Sequence, residues 1–133
     1  FTYVYMGGSA KIRTVANLWN ELHQAVMTCM MEVITAGNSA SIPVAICGET
    51  ADSAFYIPLL IGLGARELSM NVISIPQIRR LIAGISVHDA EKLVESIATH
   101  ETASEIEDVL RGHYLQNWAH LFPTGLLSSK YPQ

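Results

Sequence analysis

Cysteine, glycine and glutamate stand together at Cys47-Gly48-Glu49, directly after the apolar run Ile42-Pro43-Val44-Ala45-Ile46. A thiol at the C-terminal end of a strand can serve as nucleophile or proton donor, and that strand end is where parallel α/β enzymes carry their reactive groups. A cysteine ending a buried strand is commonly inert, so the tripeptide alone assigns no reaction. The five histidines, His23, His88, His100, His113 and His120, are scattered, and no two share a metal-ligand spacing. Surface or capping roles are the ordinary reading for them. Cys29 falls on an apolar helical stripe and reads as core, and Met27, Met30 and Met31 read as helix packing. The two cysteines match no disulfide or zinc framework. Gly62-Leu63-Gly64 lacks the full dinucleotide fingerprint and suits a turn that ends a helix.

The elements that must position Cys47 follow from periodicity. Residues 1–6 read as a strand or its exit, broken by Gly7-Gly8-Ser9. From Leu18 the apolar positions Leu22, Ala25, Val26, Cys29, Met30, Val33 and Ile34 have helical spacing, with an end expected near Gly37-Asn38. Residues 42–47 are apolar and partly β-branched, which predicts a parallel strand covered on both faces. Gly48 permits a sharp exit, and Asp52 or Ser53 is placed to cap a short helix reaching Ile61, with Pro58 near its first turn. Glu67-Leu68-Ser69-Met70 is the next strand. A helix then starts at Ser74-Ile75-Pro76, with Ile75, Ile78, Leu81, Ile82 and Ile85 on its buried side. Two further helices open on capping boxes, Ser86 with Asp89 and Thr102 with Glu105. The sequence after Phe122 carries Pro123, Gly125 and Pro132 and reads as an irregular tail over 123–133. The expected fold is α/β, with about three parallel strands followed by extra C-terminal helices, and residues 1–122 form part of one domain whose strands need neighbours.

Composition narrows the function classes. The chain has 133 residues, 50% of them hydrophobic and 15% charged, which suits a packed core and excludes a disordered tail. A net charge of −4 argues against nucleic acid as the main partner. Seven carboxylates but only Lys92 as a cation lie between Asp89 and Asp108, the pattern of solvated helix faces. The longest apolar stretch, Ala54 to Ala65, is interrupted by Pro58, Gly62 and Gly64 and falls short of the roughly 18 residues of a membrane span. No basic-then-apolar segment opens the chain as a secretion signal would. The setting expected is cytoplasmic and reducing. The opening Phe1-Thr2-Tyr3-Val4-Tyr5, without an initiating methionine, suggests a piece of a longer chain.

Read together, Ile46-Cys47-Gly48-Glu49, Ile57-Pro58-Leu59-Leu60-Ile61-Gly62-Leu63-Gly64, Glu67-Leu68-Ser69-Met70 and Ser74-Ile75-Pro76 closely resemble the phosphoenolpyruvate-utilising enzymes. The Ser69-Met70 pair and Ser74-Ile75-Pro76 are more similar to enzyme I of the bacterial sugar phosphotransferase system than to pyruvate phosphate dikinase. Leu18-Trp19 and His23-Gln24-Ala25-Val26 align more faintly, so the resemblance covers most of residues 1–110. It implies the C-terminal segment of a phosphoenolpyruvate/pyruvate-type (β/α)8 barrel. It also implies that Cys47 is the general acid that protonates enolpyruvate at its methylene carbon and, in reverse, takes a proton from the pyruvate methyl. Gly48 would let the backbone approach the ligand, and Glu49 would orient the cysteine or its neighbours. The family's partners would be phosphoenolpyruvate or pyruvate, a second copy in a homodimer, and the carrier protein HPr through a separate N-terminal domain. None of the five histidines inherits the phospho-accepting role, which belongs to that other domain.

The departures define what the chain lacks. The family's Asn-Asp pair, whose Asp helps hold magnesium, lies before the segment aligned with Thr2, so the ligands of this metal are not in the chain. The family's Asp-Arg pair, whose arginine helps bind phosphate, aligns with Ser9-Ala10. Lys11 and Arg13 stand nearby and read as solvated cations. After Glu49 the family usually has Gly-Asp, where this chain has Asp52-Ser53. Two functions are therefore expected as competitors. One is the C-terminal part of a phosphoenolpyruvate–protein phosphotransferase, inactive in isolation. The other is an inactive remnant kept as a regulatory or dimerising domain. A different α/β enzyme with Cys47 as nucleophile is the third reading, unsupported by any suitably spaced base.

Overall fold

A computed structural model describes residues 22–122. The strand expected at 1–6, Ser9-Ala10, Lys11, Arg13, the helix start at Leu18 and the tail over 123–133 lie outside the described residues. Within them the order is α1 (Gln24–Ala40), β1 (Ala45–Cys47), α2 (Glu49–Asp52), α3 (Ile57–Gly62), β2 (Glu67–Ser69), α4 (Ile75–Gly84), α5 (Val87–Ile97) and α6 (Ala103–Asn117). A 3-10 turn at Ala119–Leu121 follows. The fold is helix-rich, with one small parallel sheet in which Ala45 pairs Glu67, Ile46 pairs Leu68 and Cys47 pairs Ser69.

The helices begin where their caps dictate. His23 is extended and its Nδ1 accepts from Ala25 N at 3.2 Å, which starts α1. The helix does not stop at Gly37-Asn38 as the glycine suggests, but runs to Ala40 and ends on Ser41, whose φ is 56°. Gly37 is buried, and a β-carbon there would overlap the Val44 side chain, so its smallness serves packing rather than termination. Ser86 Oγ accepts from Asp89 N at 3.5 Å to open α5. Thr102 and Glu105 form the full reciprocal box at the start of α6, and the bonds from Thr102 hold the Glu105 carboxyl below its ordinary pKa. Pro58 sits in the first turn of α3, where its missing N–H costs nothing.

The core lies among the helices. Val26, Met30 and Ile34 of α1, Ile57, Leu59 and Leu60 of α3, Ile78 and Leu81 of α4, Leu93 and Ile97 of α5, and Ile106 and Leu110 of α6 are all buried together. Cys29 is buried as expected, whereas Met31 is 42% exposed and is not core. Ile75 and Ile82 also point more to solvent than their spacing suggests, because α4 buries only the narrower stripe of Ile78 and Leu81, with Ile85 just beyond its end.

Tyr114 of α6 is fully buried, and its hydroxyl donates to the Phe55 carbonyl at 2.7 Å. Its ring meets Phe55 edge-on at 5.1 Å and stacks on Phe122 at 5.2 Å. Burial, with Tyr56 nearby, pushes its phenol well above the ordinary tyrosine range. Arg111 lies 5.1 Å from the Phe55 ring centre, while its Nε and Nη2 donate to Glu107 Oε1 at 3.0 and 2.8 Å. The loop between α2 and α3 is thus fastened to the last long helix.

Candidate functional site

Side chains alternate across a strand, so the β1–β2 pair has one covered and one open face. Ile46 and Leu68 are half-buried against the helical core. Ala45, Cys47, Glu67 and Ser69 are exposed on the other face. The expectation of a strand covered on both sides is therefore corrected: among the described residues, the helices pack on one face only. Cys47 ends β1 on the open face, directly opposite Ser69 at the end of β2. Neither Cys47 nor Cys29 forms a disulfide.

Gly48 has φ 87° and ψ −166°, backbone space that side-chain-bearing residues almost never enter. It turns the chain straight from β1 into α2, where Gly48 O accepts from Ala51 N at 3.1 Å and Asp52 N at 3.2 Å. Asp52 and Ser53 do not cap the following helix as expected, since α3 starts only at Ile57. Asp52 is instead the last residue of α2, and its Oδ1 accepts from Asn71 N at 2.8 Å. Asn71 Oδ1 in turn accepts from Ile73 N at 3.1 Å. The exits of the two strands are thereby joined through a carboxylate and an amide turn. Glu49, the first residue of α2, is exposed beside them.

The structure thus brings Cys47, Gly48 and Glu49 to one accessible rim, together with Ser69, Asn71 and Asp52. No local pattern in the sequence signals the Asp52–Asn71 link, which joins residues 19 positions apart. Ser69 becomes the neighbour of Cys47 only through the register of the two strands.

Two hollows flank the sheet. One of about 360 Å³ is lined by Ile34, Asn38, Ile42, Val44, Gly64 and Arg66, at the N-terminal ends of the strands. Another of about 480 Å³ runs between β2 and α4, lined by Leu68, Ser69, Met70, Ile78, Arg66 and Arg79 among others. Cys47 lines neither, although Ser69 borders the second.

The remaining candidates do not join the rim. His23 is a helix cap, and His88 and His120 are exposed on the helical layer. Among the described residues no group of three or more His, Cys, Asp or Glu side chains could hold a metal ion. No helix of the described residues is long and apolar enough to cross a membrane.

Comparison with known proteins gives this rim a lineage. Residues 2–87 match the family described as PEP-utilising enzyme, PEP-binding domain. A phosphoenolpyruvate-protein phosphotransferase of Haemophilus influenzae is 32% identical over 103 residues, covering 77% of this chain and 18% of that protein. One from Chlamydia pneumoniae is 35% identical over 89 residues, covering 67% and 16%. An Escherichia coli protein of the phosphoenolpyruvate-dependent phosphotransferase system is 32% identical over 92 residues, covering 69% and 12%. The chain therefore spans less than a fifth of the length of these relatives.

Proposed function

Because this chain belongs to the PEP-utilising enzymes through their PEP-binding domain, we propose that it is the C-terminal part of a phosphoenolpyruvate–protein phosphotransferase and supplies the proton-donating end of the active site. The observation that carries this reading is Cys47, exposed at the C-terminal end of a parallel strand inside the matched segment. As the phosphoryl group leaves phosphoenolpyruvate for a histidine elsewhere in the parent enzyme, the enolpyruvate left behind needs a proton on its methylene carbon. Cys47 delivers it from Sγ–H and becomes a thiolate, and in reverse the thiolate takes a proton from the pyruvate methyl. A thiol suits both directions because it is protonated near neutral pH and ionises to a stable anion.

Gly48 leaves the ligand free access to the backbone, since a β-carbon built there would meet no heavy atom within 4 Å. Glu49, exposed at the rim, orients the bound acid or the thiol. Phosphoryl transfer itself needs positive charge around the moving group, and the described rim offers none among Cys47, Gly48, Glu49, Ser69 and Asn71. The charge, the metal and the carrier protein HPr belong to other parts of the parent enzyme, which acts as a homodimer.

The test exchanges the matching segment of the Haemophilus influenzae relative for this chain. Pyruvate release from phosphoenolpyruvate by that hybrid is expected, with a fall of about 10²–10⁴-fold in the Cys47→Ala form. An unchanged rate in Cys47→Ala sinks the proton-donor role. The 133-residue chain by itself is expected to release no pyruvate in a coupled assay. The replacement of the family's Asp-Arg pair by Ser9-Ala10 favours a second reading, an inactive regulatory or dimerising remnant. A folded but inactive hybrid that regains activity when Ser9-Ala10 is changed to Asp-Arg would establish it.

A further inference from the structure

Gly48 poses a mechanical problem. Its backbone occupies glycine-only space, and it has no packing around the position of a β-carbon. The β-ladder that could steady it ends one residue earlier, at the Cys47–Ser69 pair. After that pair one chain turns into α2 and the other enters the loop that leads to α4. Glycine has the widest conformational freedom of any residue, and this one, held through its carbonyl by Ala51 N and Asp52 N, is bonded directly to Cys47.

We propose that Asp52 is a positioning residue, whose carboxylate ties the exit of β1 to the exit of β2 and so fixes the Cys47-Gly48-Glu49 turn. Three observations carry it. Asp52 Oδ1 takes the Asn71 N–H at 2.8 Å, the short distance of a charge-assisted bond. Asn71 spends its own side chain on Ile73 N, so the bond anchors a turn that is already shaped rather than a loose strand end. The Asp52 amide itself donates to Gly48 O at 3.2 Å, which makes the path from Gly48 through Asp52 to Asn71 continuous. The turn is thus closed on both sides, by the ladder at Cys47 and by the carboxylate at Asp52. Ser69 is held by the same tie, two residues before Asn71, and stays opposite the thiol. The role of the tether in catalysis rests on the proton-donor reading of Cys47, whereas the tether itself does not.

The experiment compares the whole 133-residue chain with Asp52→Ala and Asp52→Asn, the latter keeping an oxygen acceptor at the same reach. In Asp52→Ala the Asn71 amide proton is expected to exchange about tenfold faster or more, the loss appropriate to a hydrogen bond to a charged group. The Gly48 backbone order parameter is expected to fall from the rigid range of about 0.85 toward below about 0.6. Asp52→Asn is expected to restore both, and each variant is expected to keep a cooperative melting transition. A Gly48 that remains ordered in Asp52→Ala overturns the tether. Should Asp52→Ala fail to fold, the unaltered chain decides: slowed Asn71 exchange supports the bond, and exchange at the random-coil rate overturns it. Iodoacetamide separates the two ideas. A Cys47 that resists labelling in the folded chain, mapped apart from Cys29, removes the proton-donor reading and the tether's catalytic purpose, while the order parameter still reports the tether.

Discussion

The helical layer and the strand rim of this molecule obey different rules. In the layer, Leu60, Leu93 and Leu110 are sealed completely, and even the polar end of Tyr114 has found a carbonyl. At the rim, Ala45, Cys47, Glu67 and Ser69 face outward, and the backbone turns through a glycine whose β-carbon position faces open space. Apolar burial of the first kind supplies stability, at about 25 cal/mol per Å² removed from water. The second region contributes little of it and leaves Cys47 and Ser69 accessible. Buried and open surfaces are divided between two faces of a few short elements, joined by Ile46 and Leu68 on one side and by single hydrogen bonds on the other.

That division can be broken by substitution. Leu93→Ala should be the most damaging change, at about 2–5 kcal/mol, because it empties a site with no exposure and leaves a cavity. Urea unfolding measures it, and a loss below about 1 kcal/mol would mean that the layer is not the stabilising region. Tyr114→Phe should cost about 1–3 kcal/mol, since the Phe55 carbonyl is left without its donor. Its pH dependence has a definite sign. The folded phenol is raised in pKa, so its contribution is complete below the unfolded tyrosine value of about 10 and is lost as the pH climbs through the folded value. Melting curves between about pH 8 and 11 should show the unaltered chain converging on Tyr114→Phe at the alkaline end. Cys47→Ser should change stability by no more than about 0.5 kcal/mol, as expected of an exposed side chain outside the core. A cost above about 1 kcal/mol would merge the two regions into one.

Much of this architecture is legible in the sequence, and the failures have physical causes. Local chemistry announces itself: the Thr102–Glu105 box, Pro58 in a first turn and the strand ending at Cys47 all follow from neighbours in the chain. The order and spacing of the motifs from Ile46 to Pro76 carry the family membership. Burial on one face could not be told from burial on two, because Ala45, Ile46 and Cys47 are all apolar and a uniform run carries no alternation. Gly37 looked like a helix end because a glycine that packs against Val44 and a glycine that terminates have the same letter. Asp52, like Ser53, stands where a cap for the next helix is expected, and its actual partner Asn71 becomes a neighbour only after β2 pairs with β1. Tyr114 and Phe55 stand 59 positions apart, and nothing local connects them.

That last contact has a bearing on where this folding unit ends. The match to the PEP-binding domain ends at residue 87, just as α5 begins, although the alignment with the Haemophilus influenzae relative runs further. Yet Ala90, Leu93, Ile97, Ile106, Leu110 and Tyr114 all lie beyond it and are fully or almost fully shielded from water. A chain cut at the end of the matched segment would lose the wall against which α3 rests. Cohesion therefore extends past the end of that domain match. The last two helices are structural partners of the matched segment rather than an appendix to it.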